Sequence, residues 1–337
     1  MTVTSEYFES IPKVKERSRR LNVLPQNPEA ISNESSSNEA GHVVGSVVGP
    51  GRFPSWLHRK MPQGNELWKT KDILQENRLP TVCEEAKCPN LTECWSKKTA
   101  TFLVMGKECT RACGFCDIDF SKAPVALQGD EPARVAQSVK QLGLKHVVIT
   151  MVARDDLSDG GAEHLANIVK EVRKEVPGVT IEVLTSDFAG NLEAYDQVLA
   201  SKPDVFNHNI ETVRELTPRV RHKATYERTL ALLRYVKNYG KESGHKMFVK
   251  SGLMVGHGET EEQVKETIRD LKDAGCDAIT IGQYLQANRL KLHVKSFVTP
   301  EQFKIYEEYG HSIGIPFMYC GPFVRSSYNA ASLFPER

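Results

Sequence analysis

No stretch of this sequence approaches the roughly 18 consecutive apolar residues that a membrane-spanning helix needs, so a transmembrane reading is excluded at the outset. The N-terminus has no apolar core of the secretory kind, and it carries Glu6 and Glu9 instead. That argument does not reach an organellar transit peptide; the expected location is the cytoplasm. A dominant charge is missing too. Lys and Arg number 44 against 43 Asp and Glu, a net charge of +1, which gives no bulk grip on nucleic acid, although a local basic patch can hide inside a neutral total. No dinucleotide fingerprint occurs in a strand–turn–helix context. Cysteine is scarce, with eight in 337 residues, and in an unsecreted chain such cysteines point to metal binding or catalysis rather than to disulfides. What remains is ordinary: 40% apolar and 26% charged residues, in a chain long enough for one large domain or two smaller ones.

Residues 1–50 include "ISNESSSNEAGHVVGSVVGPG", which has no sustained period and too little apolar surface to offset chain entropy. A flexible arm is expected there. From about Glu66 the pattern becomes regular. Short β-branched runs occur at 100–106, 145–152, 180–186, 204–211, 247–256 and 278–285. Each precedes a helix-like segment, as in the spacing of Val135, Val139 and Leu142 or of Val264, Ile268 and Leu271. Six β-then-α units imply a parallel sheet covered by helices, either doubly wound or a whole or partial barrel. "CTRACGFCD", "RDDLSDGG", "NHNIET", "GHGET" and "QYLQ" fall at the carboxyl ends of successive runs, the functional rim in either architecture.

Cys109, Cys113 and Cys116 are spaced C-x3-C-x2-C. A structural zinc site needs four ligands and usually draws on C-x2-C pairs, of which there is no second here. Disulfide pairing leaves one thiol over. Three thiolates on a short loop suit a 4Fe–4S cube whose fourth iron stays open to a small molecule. Upstream, Cys83, Cys88 and Cys94 form a second triad, C-x4-C-x5-C. Cys276, at a helix-to-strand junction, reads as a small buried hydrophobe, and Cys320 is open between that and a functional role.

The stretch "CTRACGFC", with Phe115 in the aromatic place, resembles the radical S-adenosylmethionine (radical SAM) superfamily. "CEEAKCPNLTECW", "RDDLSDGGA", "DVFNHNIETV", "KSGLMVGHGET", "TIGQYLQ" and "GPFVRSSY" extend the resemblance over about residues 80–330 and narrow it to the lipoyl synthase family. The resemblance implies a partial (β/α)6 barrel over residues 99–314, flanked by an N-terminal extension over 51–98 and a C-terminal segment over 315–337. It implies two 4Fe–4S clusters and S-adenosylmethionine. Cys109, Cys113 and Cys116 would hold the first cluster. Cys83, Cys88 and Cys94 would hold an auxiliary one, with Ser327 as fourth ligand and Ser326 as the fallback. A serine alkoxide is harder and more basic than a thiolate, so it suits a cluster meant to come apart and give up sulfur. The implied reaction is insertion of two sulfur atoms at C6 and C8 of an octanoyl group on a lipoyl carrier protein, either a lipoyl domain of a 2-oxoacid dehydrogenase or a glycine-cleavage H protein. A ferredoxin or flavodoxin would donate electrons, and an iron–sulfur cluster carrier would rebuild the auxiliary cluster. Neither nucleic acid nor membrane is an implied partner.

Gly160 and Gly161 allow close approach of backbone to ligand and match the family's position for the methionine amino group. Asn209 and Glu211 supply acceptors for ribose hydroxyls or that amino group. Asp155 and Asp156 read as solvated loop acids, and His208 is open between a satisfied core residue and a contact. Thr260, Glu261 and Glu262 read first as capping and dipole partners of a helix. One departure stands out: the family has V-R-P-G-A-D-Y where this chain has "VRHKATY" (220–226), so a different loop shape is expected there. Among rivals, biotin synthases and methylthiotransferases lack the terminal serine motif and the C-x4-C-x5-C spacing, whereas an iron–sulfur electron carrier or zinc scaffold would not turn over S-adenosylmethionine.

Overall fold

All six β-branched runs become strands, because each alternates buried faces between a barrel interior and a helical coat. They are β1 (Thr101–Val104), β2 (His146–Met151), β3 (Thr180–Leu184), β4 (Val205–Asn207), β5 (Phe248–Val255) and β6 (Ala278–Gln283). A seventh strand that the sequence pattern did not disclose, β7 (Phe317–Gly321), adds parallel to β6. This computed structural model describes residues 53–58, 65–328 and 330; the arm expected over 1–50 lies outside them.

The seven strands pair in chain order, every pair parallel. Their crossovers carry helices, as parallel pairing requires. Apart from single turns at Val82–Glu85 and Thr217–Val220, the α-helices in chain order are α1 (Glu66–Glu76), α2 (Leu91–Ser96), α3 (Glu131–Leu142), α4 (Ala162–Glu175), α5 (Leu192–Ala200), α6 (Tyr226–Glu242), α7 (Glu261–Asp273) and α8 (Pro300–Ser312). Val135, Val139 and Leu142 of α3 and Val264, Ile268 and Leu271 of α7 are all buried against the sheet. Thr260 closes a capping box with Gln263 at the start of α7, so its role there is structural. Among the described residues β1 and β7 do not pair, and the sheet is a partial barrel. The segment before β1 covers its open edge: Leu103 N–H donates to Pro80 O at 3.0 Å, and Thr81 bridges Phe102 in antiparallel sense.

Inside the barrel the period-2 alternation aims polar side chains at one another low in the strands. Lys250 Nζ lies 3.0 Å from Glu182 Oε1, Asn207 Nδ2 donates to the same oxygen at 2.8 Å, and His146 Nε2 stands 3.2 Å from Glu182 Oε2. Lys250 and Glu182 are wholly buried. No helix among the described residues is long and apolar enough to cross a membrane.

Candidate active site

Above that belt the barrel opens into a cavity of about 450 Å³. Cys109, Cys113, Cys116 and Phe115 line it on one side, and Cys88, Ser326 and Ser327 on another. The downstream triad sits on the loop that leaves β1. A two-residue ladder pairing Glu108–Cys109 with Asp119–Phe120 pinches the loop at its base, and Ser121 N–H donates to Cys109 O at 3.0 Å. The loop's middle is tied down through one residue. Gly114 N–H donates to Val220 O at 2.9 Å, and Gly114 O accepts from Leu292 N–H at 2.9 Å. Cys109 Sγ accepts backbone N–H bonds from Arg111 (3.4 Å) and Ala153 (3.3 Å), a pattern that steadies a thiolate and tunes a metal centre.

Cys83 lies on a helical turn (Val82–Glu85), and Cys94 lies on α2. Cys83, Cys88 and Cys94 wall a smaller chamber of about 100 Å³ together with Ser327, Arg325, Asn90, Glu93 and Tyr328. Val82, Cys88, Arg325 and Ser327 belong to both walls, so the chamber and the cavity adjoin. Ion pairs hold the two cysteine loops together: Lys87 to Asp117 at 2.8 Å and Lys107 to Glu85 at 2.5 Å. The terminal segment is clamped on both sides of Ser327. Asn90 Nδ2 donates to Phe323 O at 2.7 Å, and Tyr328 Oη donates to Glu93 Oε1 at 2.9 Å. Ser326 is engaged differently, accepting from Asn209 Nδ2 at 3.3 Å, and it does not reach the smaller chamber.

All eight cysteines are free thiols. Burial raises Cys83 and Cys116 to about 12 and Cys94 and Cys113 to about 11, with neighbouring thiols adding to the effect at all four; at Cys113 Arg221 opposes it. Left to themselves these four stay protonated at neutral pH. A cationic centre is what turns such thiols into ligands, and loading it releases protons. Among the described residues no three His, Cys, Asp or Glu side chains converge on a point that fits a single ion. Each triad lines a cavity, and its three soft thiol donors fit iron–sulfur chemistry.

The other expected contacts divide. Asn209 and Glu211 line the cavity; Asn209 Oδ1 is buried without a partner, and Glu211 holds a left-handed backbone (φ 68°). Burial raises the Glu211 carboxyl, with Arg221 opposing. Gly160 and Gly161 do not line the cavity. Gly161 is the N-cap of α4 at φ 88°, and a Cβ there would stand 2.4 Å from Met105 Sδ; a Cβ on Gly160 would stand 3.1 Å from Phe188. Their lack of a side chain lets Met105 and Phe188 pack against them. Asp155 and Asp156 are not simply solvated: Asp155 takes a forked bond from Arg111 (2.9 and 2.7 Å), and Asp156 pairs with Arg154 at 2.7 Å. His208 lines the cavity, and both its ring nitrogens are partnered. Its Nδ1 lies 2.8 Å from Thr185 O and its Nε2 3.2 Å from the Arg221 guanidinium, and burial followed by Arg221 lowers it to about 3, so it stays neutral.

Sequence reasoning missed Arg111, Asp187 and Arg221, which together back the downstream triad. Asp187 is fully buried between Arg111 (2.6 Å) and Arg228 (3.0 Å), and these charges outweigh burial and hold its carboxyl well below the usual range. Arg221 belongs to the divergent "VRHKATY", whose Val220 still anchors Gly114 and whose Thr225 caps α6. The available signal was position: Arg111 lies inside the cysteine motif.

The Radical SAM superfamily matches residues 103–271, and the N-terminal domain of lipoyl synthase of the Radical SAM family matches 4–88. The chain is 64% identical to the lipoyl synthase of Protochlamydia amoebophila over 314 residues, 93% of each chain. It is 52% identical to that of Chlamydia trachomatis serovar L2 over 285 residues, covering 85% of this chain and 90% of the other. Streptococcus suis SuiB bound to S-adenosylmethionine shares the fold at TM-score 0.51 and 13% identity, over 68% of this chain and 54% of that one. By sequence, the chain belongs to the lipoyl synthase family of radical SAM enzymes, which insert sulfur by radical chemistry in lipoyl biosynthesis.

Proposed function

We propose that this chain dithiolates C6 and C8 of an octanoyl group carried on a lysine of a lipoyl carrier protein, using two 4Fe–4S clusters that would be held in adjoining sites. Cys109, Cys113 and Cys116 would hold the cluster that binds S-adenosylmethionine; Cys83, Cys88, Cys94 and Ser327 would hold the auxiliary one. Bound there, the first supplies the electron that cleaves S-adenosylmethionine to a 5′-deoxyadenosyl radical, and the second supplies sulfur. The observation that carries the reading is the shared wall: Cys88 and Ser327 front both the upstream chamber and the cavity of the downstream triad. The protein's own task is orientation and exclusion of water, since a radical that meets solvent is lost. Phe115, Asn209 and Glu211 are read as contacts of the nucleoside or methionine part. Residues 51–98 and 315–337 act together as the auxiliary-cluster extension of a barrel spanning 99–314. A ferredoxin or flavodoxin would donate electrons, and a cluster carrier would restore the sacrificed centre.

Anaerobic reconstitution tests this directly. About eight irons per chain, 5′-deoxyadenosine and a dithiolated octanoyl-lysyl peptide are expected; about four irons without product would sink the reading. Ser327→Ala should abolish dithiolation while 5′-deoxyadenosine still forms, whereas Ser326→Ala, which loses only the Asn209 bond, should keep most of it. The reverse pattern would move the ligand role to Ser326.

The C-terminal segment reaches its place because Gly282 has no side chain. A Cβ on Gly282 of β6 would stand 2.0 Å from Val324 O, a backbone atom that no rotamer change can move. Gly282→Ala should therefore push the segment out, and we expect about a tenfold or greater fall in dithiolated product per 5′-deoxyadenosine, a displacement of ångström order being enough. An unchanged ratio would show that the segment tolerates the shift.

A further inference from the structure

The neutral total charge conceals a one-signed entrance. Two loops meet at Gly114, whose N–H bonds Val220 and whose carbonyl bonds Leu292, so both flank the downstream cysteine loop. Segment 217–226 carries Arg219, Arg221, His222 and Lys223 with no Asp or Glu. Segment 284–299 carries Arg289, Lys291, His293 and Lys295, again without an acid. Each loop runs from cavity wall to solvent. Ala224 lines the cavity while Arg219, His222 and Lys223 are exposed; Leu285, Gln286 and Ala287 line it while Arg289 and Lys295 are exposed and Lys291 is half-buried. Arg219 acts on His257, which stacks on Tyr284 at 4.1 Å, so the two loops share one side of the mouth.

Most acids nearby are already taken: Asp117 pairs with Lys87, Glu227 with Arg214, and Glu259 accepts the N–H groups of Gly256 and His257. Asp155 is shared between Arg111 and, at 3.6 Å, Lys223, and exposed Glu215 precedes the first segment by two residues. Between Arg289 and Lys291 stands Leu290 at 93% exposure, more than any other large hydrophobic among the described residues. An apolar tip between cations, beside a cavity that must receive a chain from outside, has the makings of a protein-docking rim.

Resting on the proposed function, we propose that Arg219, Lys223, Arg289, Lys291 and Lys295, with Leu290 among them, form a basic collar that docks an acidic face of the folded carrier around its octanoyl-lysine. The collar steers encounter and sets register; the cavity alone handles the acyl chain. Its contribution is therefore felt by a folded carrier, screened by salt, and not felt by a short neutral peptide bearing the same lysine.

The test uses the reconstituted full-length enzyme in single-turnover reactions with two substrates, an octanoylated folded lipoyl domain and a neutral octanoyl-lysyl peptide, at low and high salt. For Arg289→Glu/Lys291→Glu and for Arg219→Glu/Lys295→Glu, the lipoyl-domain concentration giving half-maximal rate should rise about tenfold or more, and its salt dependence should flatten. Peptide conversion and 5′-deoxyadenosine formation should stay at wild-type levels, which also shows that the variants fold. Leu290→Ser should raise the lipoyl-domain value with its salt dependence intact. Lipoyl-domain values within twofold of wild type in both reversals, with the peptide still converted, overturn the collar and leave the functional reading standing. A wild-type enzyme that converts neither substrate overturns both.

Discussion

Replacing Cys83, Cys88 and Cys94 together by Ala is expected to remove about four irons per chain and to abolish dithiolation, while S-adenosylmethionine is still cleaved to 5′-deoxyadenosine. The separation follows from where the two triads sit. The upstream cysteines wall a chamber that includes none of Cys109, Cys113 and Cys116. The downstream loop is held by its own ladder and by Val220 and Leu292, none of which the substitutions touch. Cys83 is a buried thiol on a short turn capped by Thr81, which accepts from Glu84 N–H, so losing one sulfur leaves that turn its hydrogen bonds. The matched control is Cys113→Ala, which should lose both 5′-deoxyadenosine and product. Continued dithiolation by the upstream triple variant would remove the sulfur-donor role from that triad.

Much of this was legible because thiols at fixed spacing and β-branched runs are local signals. The six strands and the faces of α3 and α7 appear where periodicity puts them. β7 was not legible: "FMYCG" is short, has no clear alternation, and gains its place by pairing with β6. Gly160 and Gly161 carry a signal that sequence does not resolve. Glycine before a helix has the same appearance in sequence whether it admits a ligand or a neighbour, and here the neighbours are Met105 and Phe188. Asp155, Arg111 and Asp187 could not be paired in advance, since their partners stand up to 76 residues apart along the chain and meet only when the rim closes. The preference for Ser327 over Ser326 came first from resemblance; the geometry adds an independent reason, because the two clamps at Phe323 and Tyr328 leave Ser327 facing the thiols while Asn209 engages its neighbour.

The belt beneath the cavity carries the largest expected stability effect. Lys250→Met should destabilise the fold by about 3–5 kcal/mol, the usual consequence of stranding one partner of a buried ion pair. Burial by itself raises the Glu182 carboxyl; Lys250, then His146 and Asn207, outweigh it and bring it from an ordinary 4.5 to about 2. A carboxyl lowered by folding contributes stability that is fully present above about 4.5 and is lost as pH falls toward 2. Without Lys250 the balance shifts toward burial and the Glu182 carboxyl rises, so the deficit of the variant should narrow as the solution is acidified. Denaturant titrations of both proteins at pH 7 and at pH 4 would read this, and a deficit that widens in acid would contradict the assignment. Lys250→Met with Glu182→Met, which removes both charges, should recover most of the loss. The belt also reaches the site, because His146 bonds Glu182 and lines the chamber of Cys83, Cys88, Cys94 and Ser327. The single variant should therefore lower dithiolated product per 5′-deoxyadenosine as well as stability, linking the charge pattern of the barrel strands to the wall of the chamber that Cys83, Cys88, Cys94 and Ser327 share.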